Sequence, residues 1–79
     1  MKPKRTQIHV VWSKSEKRWL VKVGGKILAG FPRKVMAVGH ARLAAVAEQP
    51  SSLRIHGKNG RIQEERTYPR GSDPYPPRG

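Results

Sequence analysis

The sequence contains no cysteine. That absence excludes a disulfide scaffold, a thiolate nucleophile and cysteine-based metal sites, and it fits a reducing compartment. Acids are scarce as well: Glu16, Glu48, Glu64, Glu65 and Asp73 stand against 17 lysines and arginines. No apolar run approaches the roughly 20 residues a helix needs to span a bilayer. The opening Met1-Lys2-Pro3-Lys4-Arg5-Thr6-Gln7 is not followed by a signal-like apolar stretch. These absences predict a cytoplasmic protein with no membrane partner.

Positive charge is what the chain has in excess. A net charge of +12 on 79 residues, with a pI near 11.3, repels itself and weakens the compact state. Such charge speaks for partners rather than for a fold. The cations run from Lys2 to Arg78, so the folded surface carries them and not merely a tail. Nucleic acid, DNA or RNA, is the expected partner. An acidic protein is the alternative, and a membrane surface is not expected, because the helix described below has few large apolar residues and no bulky anchor.

The length allows one small domain with a modest core, stabilised by packing or by a second copy. Ile8-His9-Val10-Val11-Trp12 and Arg18-Trp19-Leu20-Val21-Lys22-Val23 are β-branched and aromatic runs that read as strands. Gly24-Gly25 suits a tight turn into a third strand, Lys26-Ile27-Leu28-Ala29-Gly30-Phe31. A two-residue loop there sets Val23 against Lys26, Val21 against Leu28 and Trp19 against Gly30, with Trp19, Val21 and Leu28 on the core face.

From Arg33 to Gln49 the chain is alanine-rich and free of proline, and predicts the one helix, stopped by Pro50-Ser51-Ser52. Met36, Gly39, His40, Leu43, Val46 and Ala47 fall at helical spacing and form the expected packing stripe. Leu53 to Lys58 and Arg61 to Arg66 flank Asn59-Gly60, a strong hairpin signal. A two-residue turn pairs Lys58 with Arg61, His56 with Gln63 and Arg54 with Glu65. Leu53, Ile55 and Ile62 then share the dry face.

The predicted architecture is α+β: a small antiparallel sheet in the order β-β-β-α-β-β, with one helix packed on it. Residues 1–7 form a flexible basic arm, residues 8–67 the single domain and residues 68–79 a Pro-rich tail in which Tyr68 and Tyr75 are the docking candidates.

Several segments resemble one known family. Trp19-Leu20-Val21-Lys22 after the His9-Val10 strand, the Ala-rich helix, Ile55-His56-Gly57-Lys58-Asn59-Gly60-Arg61-Ile62 and the closing Asp73-Pro74-Tyr75-Pro76-Pro77-Arg78-Gly79 are similar to the small bacterial proteins of domain of unknown function 2188. The resemblance covers nearly the whole chain and implies no established activity. Relatives usually carry several acids in the helix, whereas here Glu48 remains beside Arg33, Lys34 and Arg42. The departure points to a polyanion-binding role.

His9, His40 and His56 are the only candidates for acid–base or metal chemistry. No two stand at a ligand spacing and no adjacent carboxylate supports them, so packing and surface roles are expected, with no catalytic residue, metal, cofactor or small-molecule substrate. Of the three, only His56 would serve an RNA-cleaving alternative. Gly24-Gly25 and Gly57-Lys58-Asn59-Gly60 match no phosphate-loop fingerprint and are explained by turns.

The nucleic-acid contacts are expected at Lys4, Arg5, Lys14, Lys17, Arg18, Lys22, Arg33, Lys34, Arg54, His56, Lys58 and Arg61. Contacts of this type go to phosphates and give affinity without reading sequence. Trp12 is expected in hairpin packing, with base stacking as its alternative role. The rival reading is a protein-interaction module or a homodimer joined through sheet edges, whose basic surface meets an acidic partner.

Overall fold

The computed structural model describes residues 5–68. The elements follow in the predicted order: β1 (Thr6–Ser13), β2 (Arg18–Val23), β3 (Lys26–Phe31), α1 (Lys34–Ala47), β4 (Ser51–His56) and β5 (Ile62–Tyr68). All five strands join one sheet in the order β3-β2-β1-β4-β5, with α1 packed on one face. β1 pairs antiparallel with β2 and parallel with β4, so the sheet is mixed rather than purely antiparallel. The helix makes this possible by carrying the chain from the β3 end back to the β1 start before β4 begins.

Ile8 and Val10 of β1, Trp19 and Val21 of β2, and Leu53 and Ile55 of β4 fill the layer between sheet and helix. Tyr68, placed in the tail by its sequence, is the buried last residue of β5. Tyr75 lies outside the described residues. No helix among the described residues is long and apolar enough to cross a membrane.

Three local expectations are corrected. β2 and β3 slip at a bulge between Val21 and Lys22, so Val21 meets Ala29 and Trp19 meets Phe31, and Leu28 is exposed. The second hairpin closes through Gly57 to Arg61 rather than through Asn59-Gly60 alone. The Gly60 N–H donates to the Gly57 carbonyl and the Gly57 N–H to the Arg61 carbonyl, with positive φ only at Gly60. That is a type I turn followed by a glycine bulge, one residue longer than the two-residue form. His56 therefore pairs with Ile62, which is exposed, while Arg54 keeps its predicted partner Glu65.

The helix stripe is the third correction. Ala37, Ala41 and Ala45 are fully buried, whereas Met36, Leu43 and Val46 point to solvent and Gly39 and Ala47 are exposed. The sheet supplies the bulk with Ile, Val, Leu and Trp, and a row of methyl groups lets the helix backbone come close. His40 is half-buried against Phe31, with ring centroids 5.3 Å apart, at the edge of the packed face.

Candidate functional site

Strand pairing decides which cations come together. Trp12 pairs with Trp19 and Trp19 with Phe31, so the end of β1, the start of β2 and the end of β3 lie at one end of the sheet. β4 runs parallel to β1 and finishes at that same end. The tips of the β1–β2 and β4–β5 hairpins and the start of α1 therefore converge, while the β2–β3 tip at Gly24-Gly25 lies at the other end. They bring Lys14, Lys17, Arg18, Arg33, Lys34, Lys58 and Arg61 to one rim, with Glu16 the one acid among them.

Two tryptophans floor this rim. Trp12 and Trp19 pack with ring centroids 5.2 Å apart, and each lies under an ammonium: Lys58 Nζ is 4.4 Å from the Trp12 ring centre and Lys34 Nζ 5.3 Å from that of Trp19. A cation held over a π face gains about 0.5–1 kcal/mol at exposed sites. Lys34 also donates to the Gln63 side chain, which ties the helix start to β5. Trp12 is thus half-buried hairpin packing whose outer face is covered by Lys58.

Glu16 in the rim and Glu64, whose carboxylate feels the charge of Lys34, offset only part of the rim's charge. Among the described residues the ion pairs are Arg54–Glu65, at 2.6 Å, and Arg66–Glu64, both on β4 and β5. The first turn of α1 holds no acid and no side chain caps it at Arg33, so the positive end of the helix dipole adds to the same field. Lys17 sits in the first tip with φ of 55°, and the Lys17 N–H donates to the Ser13 carbonyl at 2.7 Å. Gly30 faces Arg18 so closely that a Cβ there would stand 2.8 Å from Arg18 Cδ, which makes the glycine a seat for that side chain.

The other expected contacts lie elsewhere. Arg5 is at the opposite end of the sheet, where its guanidinium donates to the carbonyls of Ser51 and Tyr68 at 3.1 Å each. Lys22, Arg54 and His56 stand on the sheet face that the helix leaves open. Arg54 is engaged within the fold, donating to Glu65 and, at 2.7 Å, to Gln7. Lys4 lies outside the described residues.

One pairing had no signal in the sequence. His9 and His56 meet across the parallel strands with His9 Nδ1 3.0 Å from His56 Nε2. His56 Nδ1 lies 3.1 Å from the Gly60 carbonyl, which only accepts, so that nitrogen carries a proton. In the neutral pair His9 Nδ1–H then donates to His56 Nε2. Burial first, then the charges of His56, Arg54 and Lys22, hold the His9 pKa below its ordinary value. Among the described residues no three His, Asp or Glu side chains gather as a metal would require.

The model of a family described as an uncharacterised protein conserved in bacteria, domain of unknown function 2188, matches residues 8–68. No curated protein and no solved structure matches the chain.

Proposed function

The chain belongs to this bacterial family of uncharacterised proteins, domain of unknown function 2188, and from that premise we propose that it is a non-enzymatic, cytoplasmic nucleic-acid-binding protein that holds DNA or RNA by its phosphates. The observation that carries the reading is the rim, where Lys14, Lys17, Arg18, Arg33, Lys34, Lys58 and Arg61 come from three separate segments and take no part in the ion pairs among the described residues. Three segments converging on one charge sign make a surface complementary to a phosphate backbone, whose contacts dominate affinity and release counterions.

The open sheet face extends this surface through Lys22 and the His9–His56 pair. Contacts to phosphates carry no sequence information, so binding that is indifferent to sequence is expected. The rim's tryptophans strengthen the platform on which Lys34 and Lys58 are held rather than offering free faces to bases.

The test is fluorescence anisotropy with labelled duplex DNA, single-stranded DNA and structured RNA at several salt concentrations. Log affinity should fall linearly with log salt. Replacing Lys58 and Arg61 by alanine should flatten the slope by about 1.8, at about 0.9 for each phosphate left without its cation. Binding that ignores salt, or no binding to any of the three near physiological ionic strength, rejects the reading.

A further inference from the structure

With Ala37, Ala41 and Ala45 against the sheet, the opposite side of α1 is uncovered and apolar. Val35 and Leu43 are exposed at 73% and 72%, with Met36 and Val46 beside them. Gly39 stands in the middle of this stripe, and a Cβ built on it meets nothing within 4 Å. A glycine inside a helix costs about 1 kcal/mol relative to alanine. Nothing in the chain's own packing requires that cost. Between Lys34 and Glu48 the only charged residue is Arg42, so the stripe is also poor in charge on a strongly cationic molecule.

We propose that this face of α1 forms a homodimer in which the same helix of a second copy packs antiparallel across Gly39. On a two-fold axis at Gly39, Val35 of each copy meets the partner's Leu43, and Met36 covers the aliphatic stem of the partner's Arg42. The two glycines face each other where the helices cross, which lets the backbones approach closely. That is a use for the missing Cβ.

Charge selects a second copy in this orientation. Antiparallel packing carries Arg33 at the helix start toward Glu48 of the partner subunit at its helix end, and it opposes the two helix dipoles. It also sends the two basic rims to opposite ends of the assembly, whereas a parallel pair would force them together. The sheet edges are poorer candidates: β3 is bulged against β2, and β5 carries Glu64, Glu65 and Arg66, both devices that discourage edge pairing.

Sedimentation equilibrium of nuclease-treated full-length protein, from low micromolar to millimolar concentration, tests this without nucleic acid. A monomer–dimer equilibrium is expected, weak because the interface is one helix wide, and tightened by salt because the two chains repel. Leu43→Glu, at a site exposed within the chain, should weaken the dimer by about 10-fold or more. Gly39→Ala should raise the melting temperature of the dilute monomer while weakening the dimer, opposite changes that a purely structural glycine would not give. Glu48→Arg should weaken association and Arg33→Glu with Glu48→Arg restore it. A monomer at every concentration and salt overturns the proposal, as does a dimer indifferent to Leu43→Glu and Gly39→Ala, which would lie at a sheet edge instead.

Discussion

His9 Nδ1 and His56 Nε2 share one hydrogen bond, 3.0 Å long, across the only parallel strand pairing in the sheet. The register sets His9 between Lys22 on β2 and Arg54 on β4, so a proton on its ring would join two neighbouring cations. With both rings protonated, two N–H donors would face each other and the bond would be broken.

Stability should therefore depend on pH through His9. Its proton affinity is lower in the folded chain than the ordinary 6.5, so between the folded value and 6.5 the unfolded chain binds more protons. Stability rises with pH across that window; the contribution complete above 6.5 is lost as pH falls through 6.5 toward the folded value. Urea titrations on either side of that window should show the loss, and His9→Gln should remove most of it. A His9 ring titrating at or above 6.5 by NMR would contradict the assignment.

The two sides of α1 should answer substitution in opposite ways. Ala41 is fully buried against the sheet, and Ala41→Leu forces a large side chain into a filled layer, which should cost about 1–3 kcal/mol. Leu43→Ala, two residues on, should change monomer stability by no more than about 0.5 kcal/mol. Denaturant unfolding at low protein concentration measures both. Reversed magnitudes would mean that the helix is rotated on the sheet.

That rotation is the clearest case of what the sequence conceals. Strand and helix positions were legible because β-branched runs, Gly24-Gly25 and the Ala-rich stretch are local signals, and β2 and β3 match their expected bounds. The buried face of α1 was not, because alanine carries little hydrophobic signal and the larger Met36, Leu43 and Val46 drew the stripe away from Ala37, Ala41 and Ala45. Bulges at Val21/Lys22 and Ile55/His56 shift registers by one residue, which no alternation pattern reveals. The parallel β1–β4 pairing is non-local, and it alone creates the His9–His56 hydrogen bond and the convergence of the β1–β2 and β4–β5 tips on one rim. The candidate cations could be named from the sequence; which of them stand together could not.

Ser51 offers a test of how the helix is fastened to β4. Its hydroxyl, fully buried, donates to the Ala45 carbonyl at 2.6 Å, one of the last-turn carbonyls that the helix itself leaves without a partner. Ser51→Ala strands that acceptor away from water and should cost about 1–3 kcal/mol. A loss below about 0.5 kcal/mol in urea unfolding would show that water reaches the carbonyl in the variant.

Arg5 separates a cation that builds the fold from cations that meet a ligand. Its guanidinium joins the start of β1 to Ser51 of β4 and Tyr68 of β5 through their carbonyls, at the end of the sheet away from the rim. Hydrogen bonds of this kind contribute about 1 kcal/mol each. Arg5→Ala should therefore lower the unfolding free energy by about 1–2 kcal/mol while shifting the salt dependence of nucleic-acid binding less than the Lys58→Ala, Arg61→Ala pair does. Arg54→Ala should behave like Arg5→Ala, since Arg54 already donates to Glu65 and Gln7. The same anisotropy titrations that test the rim measure both, alongside urea unfolding. If Arg5→Ala flattens the slope as strongly as the rim pair, the phosphate path runs along the whole sheet rather than ending at the β1–β2 and β4–β5 tips.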